Sequence, residues 1–309
     1  MMKKDDMRAL EKKSHEMVEL DSPRKTTWCS NCGNYAIQNA LKRALVLENL
    51  HRQDYVLCFD IGCNGNGSDK IEAYTIHGLH GRVISLAAGA KIANHKLKII
   101  ASGGDSATFS EGVNHLVHGV RNDYPMLFIH HNNENYGLTT GQASALTPKG
   151  LKMNAAPAGT VVGPINSLDF VLSLNATFVA RSYSGDVDHM TEMLRLALHH
   201  NGFAFVEILQ ACPTYNRATP DEWYAQHVAD VATLPGYDPA DIWQARKAVQ
   251  FGQEKVYTGL IYRKPHENDF ISLQPQRGAS ADGVPTLTTA LTEEVKHYDI
   301  TPLIRNLNN

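Results

Sequence analysis

Long apolar runs are missing from this chain: nothing in its 309 residues approaches the ~18 consecutive apolar residues that a membrane span requires. The N-terminal stretch also lacks the apolar centre of a secretory signal and alternates charges instead, at Lys3, Lys4, Asp5, Asp6, Arg8, Glu11, Lys12 and Lys13. These absences predict a cytoplasmic protein with no membrane partner, in a compartment where thiols stay reduced and free to bind metals. An excess of one charge is missing too. Lys plus Arg number 29 against 32 for Asp plus Glu, so the net charge of -3 provides no basic field for a nucleic acid. No internal repeat or low-complexity tract is visible, and 43% hydrophobic content is enough to bury a substantial core.

Cysteine is scarce, with only 5 in the chain, which makes their placement informative. Cys29 and Cys32 form a close pair in Trp-Cys-Ser-Asn-Cys-Gly, while Cys63 and Cys212 stand alone in Asp-Ile-Gly-Cys and Gln-Ala-Cys-Pro. Thiolates are the preferred ligands of zinc and of iron–sulfur clusters, and four of them complete either shell, so spacing alone leaves the metal open. Cys63 follows the apolar run Tyr55 to Phe59, and Cys212 follows Phe203 to Leu209. Each therefore lies just past a strand, at the sheet edge where open α/β folds bind ligands. Cys58, inside a strand-like run, reads as a small buried hydrophobe.

From residue 34 to about 210, helical and strand patterns alternate. Ile37, Ala40, Leu41, Ala44 and Leu45 trace one apolar helical stripe; Met190, Met193, Leu194, Ala197 and Leu198 trace another. Short, nearly continuous apolar strands lie between them at Tyr55–Phe59, Lys98–Ala101 and Met126–Ile129, and after the second at Phe203–Leu209. This alternation predicts an α/β fold whose mostly parallel sheet carries helices on both faces. One further helix and a strand near Val256–Tyr262 are expected in residues 237–265. Residues 1–22 and 264–309 read as arms, loosely ordered or laid over a partner, around a domain of residues 23–263; a short helix is expected near Thr288–Val295.

Two strand ends carry a second constellation. The strand at Lys98 runs into Gly-Gly-Asp105-Ser-Ala, and the next strand runs into Asn133-Glu-Asn-Tyr-Gly137-Leu-Thr-Thr-Gly-Gln142. Glycines let the backbone approach an anion, and a helix from Phe109 would aim its positive end at the same place. Magnesium takes oxygen ligands, often one carboxylate aided by amides and by the phosphates themselves. Each piece alone is also an ordinary turn signal; together they are more specific.

The Asp loop, the following helix and strand, and Asn-Asn-x-x-Tyr-Gly resemble the thiamine diphosphate signature. With the four cysteines, His80-Gly-Arg-Val and Gly112-Val-Asn-His115, the region of roughly residues 25–265 resembles the β subunit of the 2-oxoacid:ferredoxin oxidoreductases. The resemblance implies the thiamine diphosphate-binding fold, with Cys29, Cys32, Cys63 and Cys212 holding a [4Fe-4S] cluster. It implies Asp105, Asn133 and the backbone carbonyl of Asn135 as ligands of Mg2+. Ile61, Gly62, Cys63, Asn64, His80, Gly104, Ser106, Gly137 and Leu138 would bind thiamine diphosphate, with His80 and Leu138 nearest the chemistry. The implied reaction is coenzyme A-dependent oxidative decarboxylation of a small 2-oxoacid, with electrons passed to ferredoxin. An α subunit would supply the glutamate that contacts the aminopyrimidine, in an αβ or α2β2 assembly.

The chain departs from the family in two places. Gly104-Asp105-Ser106-Ala107 replaces the usual Gly-Asp-Gly-Asp, and the loop after Cys63 lacks the basic residue that relatives often carry. Recognition of a substrate carboxylate would then fall to Arg82, Lys70 or the partner chain. Among substrates, 2-oxoglutarate is favoured over pyruvate because a chain of this length with one cluster resembles the two-subunit enzymes. A non-oxidative thiamine enzyme and a zinc or electron-transfer scaffold are the competing readings. His115 and His118 read as packing or hydrogen-bonding residues, Glu111 and Glu207 as isolated acids, and His130 and His131 as a pair split across the two faces of a strand.

Overall fold

A computed structural model describes residues 4–25, 27–264 and 270. Its centre is an eight-stranded sheet in the order β2-β1-β3-β4-β8-β7-β10-β9. The strands are β1 (Tyr55–Phe59), β2 (Thr75–His77), β3 (Lys98–Gly104), β4 (Met126–Asn132), β7 (Phe178–Tyr183), β8 (Phe203–Leu209), β9 (Val228–Asp230) and β10 (Val256–Arg263). Between β4 and β7 a small hairpin joins β5 (Asn135–Tyr136) to β6 (Gln142–Ala143). The pairings from β2 through β7 are parallel; only β10 runs antiparallel to its neighbour β7. The expected mostly parallel α/β sheet is the one observed.

Alternation along each strand sends residues to opposite faces. On β4, Met126 and Phe128 enter one core with α4 (Val83–Ala93), α5 (Val113–Arg121), α6 (Ser167–Ser173) and α9 (Ile242–Ala248). Leu127 and Ile129 enter the other, with α3 (Asn34–Leu47) and α7 (Val187–Leu198). Leu116, Leu168, Phe205 and Leu194 are fully enclosed, and burial of a side chain of this size stabilises the fold by roughly 1.5–3 kcal/mol. A sheet covered on both faces leaves its strand-end edge as the open place for ligands.

The amino-terminal region is more ordered than the expected arm. It forms α1 (Lys4–Lys12) and α2 (Ser14–Glu19), and Leu10, Met17 and the buried Leu20 pack against the core on the α3 face. Arg195 on α7 pairs with Asp6 at 3.0 Å. The alternating charges hid the few apolar residues that anchor these helices to their own chain. The expected helix and strand after Cys212 are present as α9 and β10, preceded by α8 (Asp221–His227). Apart from Lys264 and Phe270, the carboxyl-terminal arm, with the helix expected near residue 288, lies outside the described residues. Among the described residues no helix is long and apolar enough to cross a membrane.

Candidate active site

Parallel pairing puts the ends of β1, β3, β4 and β8 side by side. A cavity of about 70 Å³ opens there, lined by Ile61, Gly62, Cys63 and Asn64 after β1, by His80, by Gly104, Asp105 and Ser106 after β3, and by Asn133, Asn135, Gly137 and Leu138 after β4. Every residue expected to touch thiamine diphosphate or magnesium thus falls on the walls of one cavity. His131, Tyr136, Thr139 and Gln210 complete it.

Asp105 is buried and accepts a hydrogen bond from the Ser144 hydroxyl. Burial pushes its carboxyl up to about 7 against the opposing Ser144 bond, with the nearby Glu134 adding to the rise. Glu134 is likewise pushed up to about 7, chiefly by burial, with Asn216 opposing. A buried acid beside amide oxygens, with no Lys or Arg lining the cavity among the described residues, forms a donor set that a divalent cation would stabilise. Asn133 Oδ1 accepts from the Asn135 amide at 3.2 Å, while Asn135 Oδ1 is buried without a hydrogen-bond partner. The residues present therefore fit a hard cation.

The helix facing the cavity begins earlier than the sequence pattern places it. A π-helical turn, Ser106–Glu111, starts directly after Asp105, and α5 follows only at Val113. Phe109, the expected helix start, is instead enclosed in the core. Such wide turns recur at functional sites, and here the turn brings Ser106 into the cavity wall.

The cysteines gather next to this cavity. Cys29 is exposed, whereas Cys32, Cys63 and Cys212 are half-buried. The Cys63 thiol is pushed up to about 12 by burial and then by the charges of Cys32, Cys212 and Cys29. Cys32 is raised by burial too, with Cys212 and Cys29 contributing. The four thiols therefore lie within electrostatic reach of one another. Trp28 Nε1 donates to the Cys63 carbonyl at 2.6 Å, tying the paired and the lone cysteine segments together. Gln210 Nε2 donates to Cys32 Sγ at 3.5 Å. A Cβ on Gly137 would stand 3.2 Å from Cys63 Sγ, so the hairpin that lines the cavity rests directly on a candidate cluster ligand. Among the described residues no three His, Cys, Asp or Glu side chains close to the span of a single metal ion; a four-iron cluster is wider than one ion. Cys58 is fully buried in β1 and pushed up to about 11 by that burial, as an inert core thiol should be.

Other expectations resolve locally. His130 and His131 point to opposite faces. His130 lies 3.3 Å from Glu207, whereas His131 bonds Ser102 Oγ and Asn34 Oδ1, each at 2.9 Å. Burial pushes His131 down to about 3, so the ring is neutral and its Nδ1–H donates to Asn34. Glu207, read from sequence as isolated, is the hub of a buried network: Arg181 Nε donates to it at 2.6 Å and Asn132 Nδ2 at 3.1 Å. Burial alone would raise its carboxyl, but Arg181 and His130 hold it well below the carboxylate range. Lys70 Nζ turns to the Arg24 carbonyl and does not line the cavity. Arg82 is exposed, its guanidinium lying against the Gly81 and Glu111 carbonyls.

Sequence reasoning missed Asp60. This buried acid ends β1, and its Oδ1 accepts from the backbone amides of Ile61 at 2.7 Å and Gly81 at 2.8 Å, while Oδ2 accepts from Val83 at 3.1 Å. It clamps the Ile61 loop to the His80 loop and the start of α4. The available signal was its position, an acid at the carboxyl end of a buried strand.

Known proteins resemble this chain along most of its length. Residues 60–208 match the family described as thiamine pyrophosphate enzyme, C-terminal TPP binding domain. Residues 212–276 match the family described as the C terminal part of the pyruvate ferredoxin oxidoreductase beta chain. A 2-oxoacid:ferredoxin oxidoreductase subunit beta of Saccharolobus solfataricus is 38% identical over 262 residues, 81% of this chain and 84% of that relative. One of the same description from a Sulfolobus species is 37% identical over 220 residues, 71% of this chain and 72% of the relative. A solved 2-oxoglutarate:ferredoxin oxidoreductase from Magnetococcus marinus, with 2-oxoglutarate, coenzyme A and succinyl-CoA bound, superposes with a TM-score of 0.78 at 28% identity, over 94% of this chain and 95% of that one.

The clamp leads to a prediction. Asp60→Ala removes the acceptor of three backbone amides, and we expect roughly 3 kcal/mol lower stability in urea denaturation, with faster hydrogen exchange at Ile61, Gly81 and Val83. An unchanged denaturation midpoint would show that Asp60 does not hold the two loops.

Proposed function

This chain belongs to the β subunits of the 2-oxoacid:ferredoxin oxidoreductases, and on that premise we propose that it takes part in the conversion of 2-oxoglutarate and coenzyme A to succinyl-CoA and carbon dioxide, with electrons passed to ferredoxin. Membership makes it the subunit that carries the thiamine diphosphate-binding domain. The observation that carries the finer reading is the convergence of the expected thiamine, magnesium and cluster residues on one sheet edge, with Cys63 shared between cavity and thiols.

In this reading Asp105, Asn133 and the Asn135 carbonyl hold Mg2+, which neutralises the diphosphate. Ile61, Gly62, Asn64, Gly104, Ser106, Gly137 and Leu138 shape the pocket, and His80 contacts the cofactor at its rim. Cys29, Cys32, Cys63 and Cys212 hold a [4Fe-4S] cluster. When bound, thiamine diphosphate supplies the nucleophilic carbon that adds to the keto group, and the cluster accepts electrons singly. The chain's own work is to position, enclose and neutralise. Asn64 is fixed by its Nδ2 bond to the Ser102 carbonyl at 3.0 Å, and Leu138, half exposed, adds an apolar side chain to the cavity wall.

Support for 2-oxoglutarate comes from the bound ligands of the Magnetococcus relative, which spans nearly the whole chain. That no Lys or Arg is among the described lining residues supports recognition of the substrate's distal carboxylate by the α subunit or by Arg82. The active unit is accordingly the αβ pair, alone or doubled.

A panel of 2-oxoacids tests the substrate. The purified αβ complex, with coenzyme A and a viologen dye, is expected to turn over 2-oxoglutarate fastest, and this chain without its partner is expected to be inactive. Higher kcat/KM with pyruvate would replace the substrate assignment, and sustained turnover by the chain alone would remove the half-site reading.

Magnesium has its own test. Asp105→Ala deletes the carboxylate of the proposed ion site and is expected to weaken thiamine diphosphate binding by ~100-fold in calorimetry while the visible absorption of the cluster persists. Normal affinity in that variant would contradict the magnesium assignment.

A further inference from the structure

One carboxylate at the cavity rim has no task in the reading above. Glu111 ends the π-helical turn that begins at Ser106, and its two oxygens serve two neighbours. Oε1 accepts from the Tyr136 hydroxyl at 2.7 Å, and Oε2 lies 3.3 Å from His80 Nδ1. The His80 and Tyr136 rings also stack, with centroids 6.1 Å apart and planes at 22°. His80 and Tyr136 line the cavity, whereas Glu111 stands behind them.

The backbone fixes this arrangement. Gly81 adopts a left-handed φ of 71°, and a Cβ there would come within 2.8 Å of Glu111 Cβ and 2.9 Å of its carbonyl carbon. Arg82 Nη1 donates to the Glu111 carbonyl at 3.4 Å. The loop that carries His80 and the turn that carries Glu111 are therefore seated on each other. With Glu111 facing Nδ1, Nε2 is the ring atom left for a ligand. The His80 and Glu111 side chains are 31% and 42% exposed, a setting in which an ion pair adds little to stability. Its effect falls on orientation.

We propose that Glu111 is a positioning residue of the cofactor cavity, holding His80 and Tyr136 in one preset arrangement at its mouth so that Nε2 of His80 meets the bound cofactor without reordering. This inference rests on the reading of the cavity as the thiamine diphosphate site. Preorganisation acts on affinity, because a side chain already ordered loses no rotamer freedom on binding.

Calorimetry of thiamine diphosphate binding, with Mg2+, to the cofactor-depleted αβ complex tests it, using Glu111→Ala, Glu111→Gln, His80→Ala and the His80→Ala/Glu111→Ala double variant. Glu111→Ala is expected to weaken the cofactor about tenfold at an unchanged melting temperature. Its kcat at saturating cofactor should fall less than its affinity. Glu111→Gln, which retains an acceptor for Tyr136, should recover part of the loss. In the His80→Ala background, Glu111→Ala should cost clearly less than tenfold, because the part of its effect that runs through the histidine is already gone and only the part through Tyr136 is left. An unchanged affinity in Glu111→Ala, or the same tenfold loss with His80 already removed, would overturn the proposal while leaving the cavity reading intact. Failure of the wild-type complex to bind thiamine diphosphate would overturn the cavity reading, and this inference with it.

Discussion

Parallel pairing of β1, β3, β4 and β8 is the constraint on which the site depends. Strands that run the same way deliver all their carboxyl ends to one edge, so residues far apart in sequence become neighbours without any dedicated scaffold. The register makes this concrete: Gly104 pairs with His131 across β3 and β4, and Asn132 with Leu209 across β4 and β8. One step beyond those pairs lie Asp105, Asn133 and Gln210. The two helical layers hold the strands in register, and the open edge is what remains for ligands.

Charge is handled in opposite ways inside and at the edge of the sheet. Beneath the edge, Glu207 is matched by Arg181 and by hydrogen bonds, so its charge is satisfied within the chain. At the edge, Asp105, Cys63 and Cys32 are raised chiefly by burial, and no Lys or Arg lines the cavity that Asp105 and Cys63 share, among the described residues. Such a concentration of acceptors is costly unless cations arrive from outside the chain. The contrast separates a structural buried charge from a binding site.

Much of this was legible in the sequence because the signals are local. Apolar runs marked the strands, helical spacing marked α3 and α7, and the residues just past each strand marked the cavity wall. The unread parts depend on contacts between distant segments. Asp60 looks like any strand-end acid until its amide partners at Gly81 and Val83 are in place. Glu111 looks isolated until a π turn and a left-handed glycine bring it to His80. Glu207 looks isolated until β7 is paired beside β8 and brings Arg181 to it. The amino-terminal helices escaped notice because their charges outnumber the apolar residues that dock them.

The central claim is that one sheet edge holds both a thiamine diphosphate half-site and a four-iron cluster, meeting at Cys63. Iron and acid-labile sulfide analysis of anaerobically purified protein, with its visible spectrum, tests this most directly. The account predicts about four irons and four sulfides per chain, a broad absorption that Cys63→Ala abolishes and Cys58→Ala leaves intact. Zinc without sulfide, or an unchanged spectrum in Cys63→Ala, would contradict it.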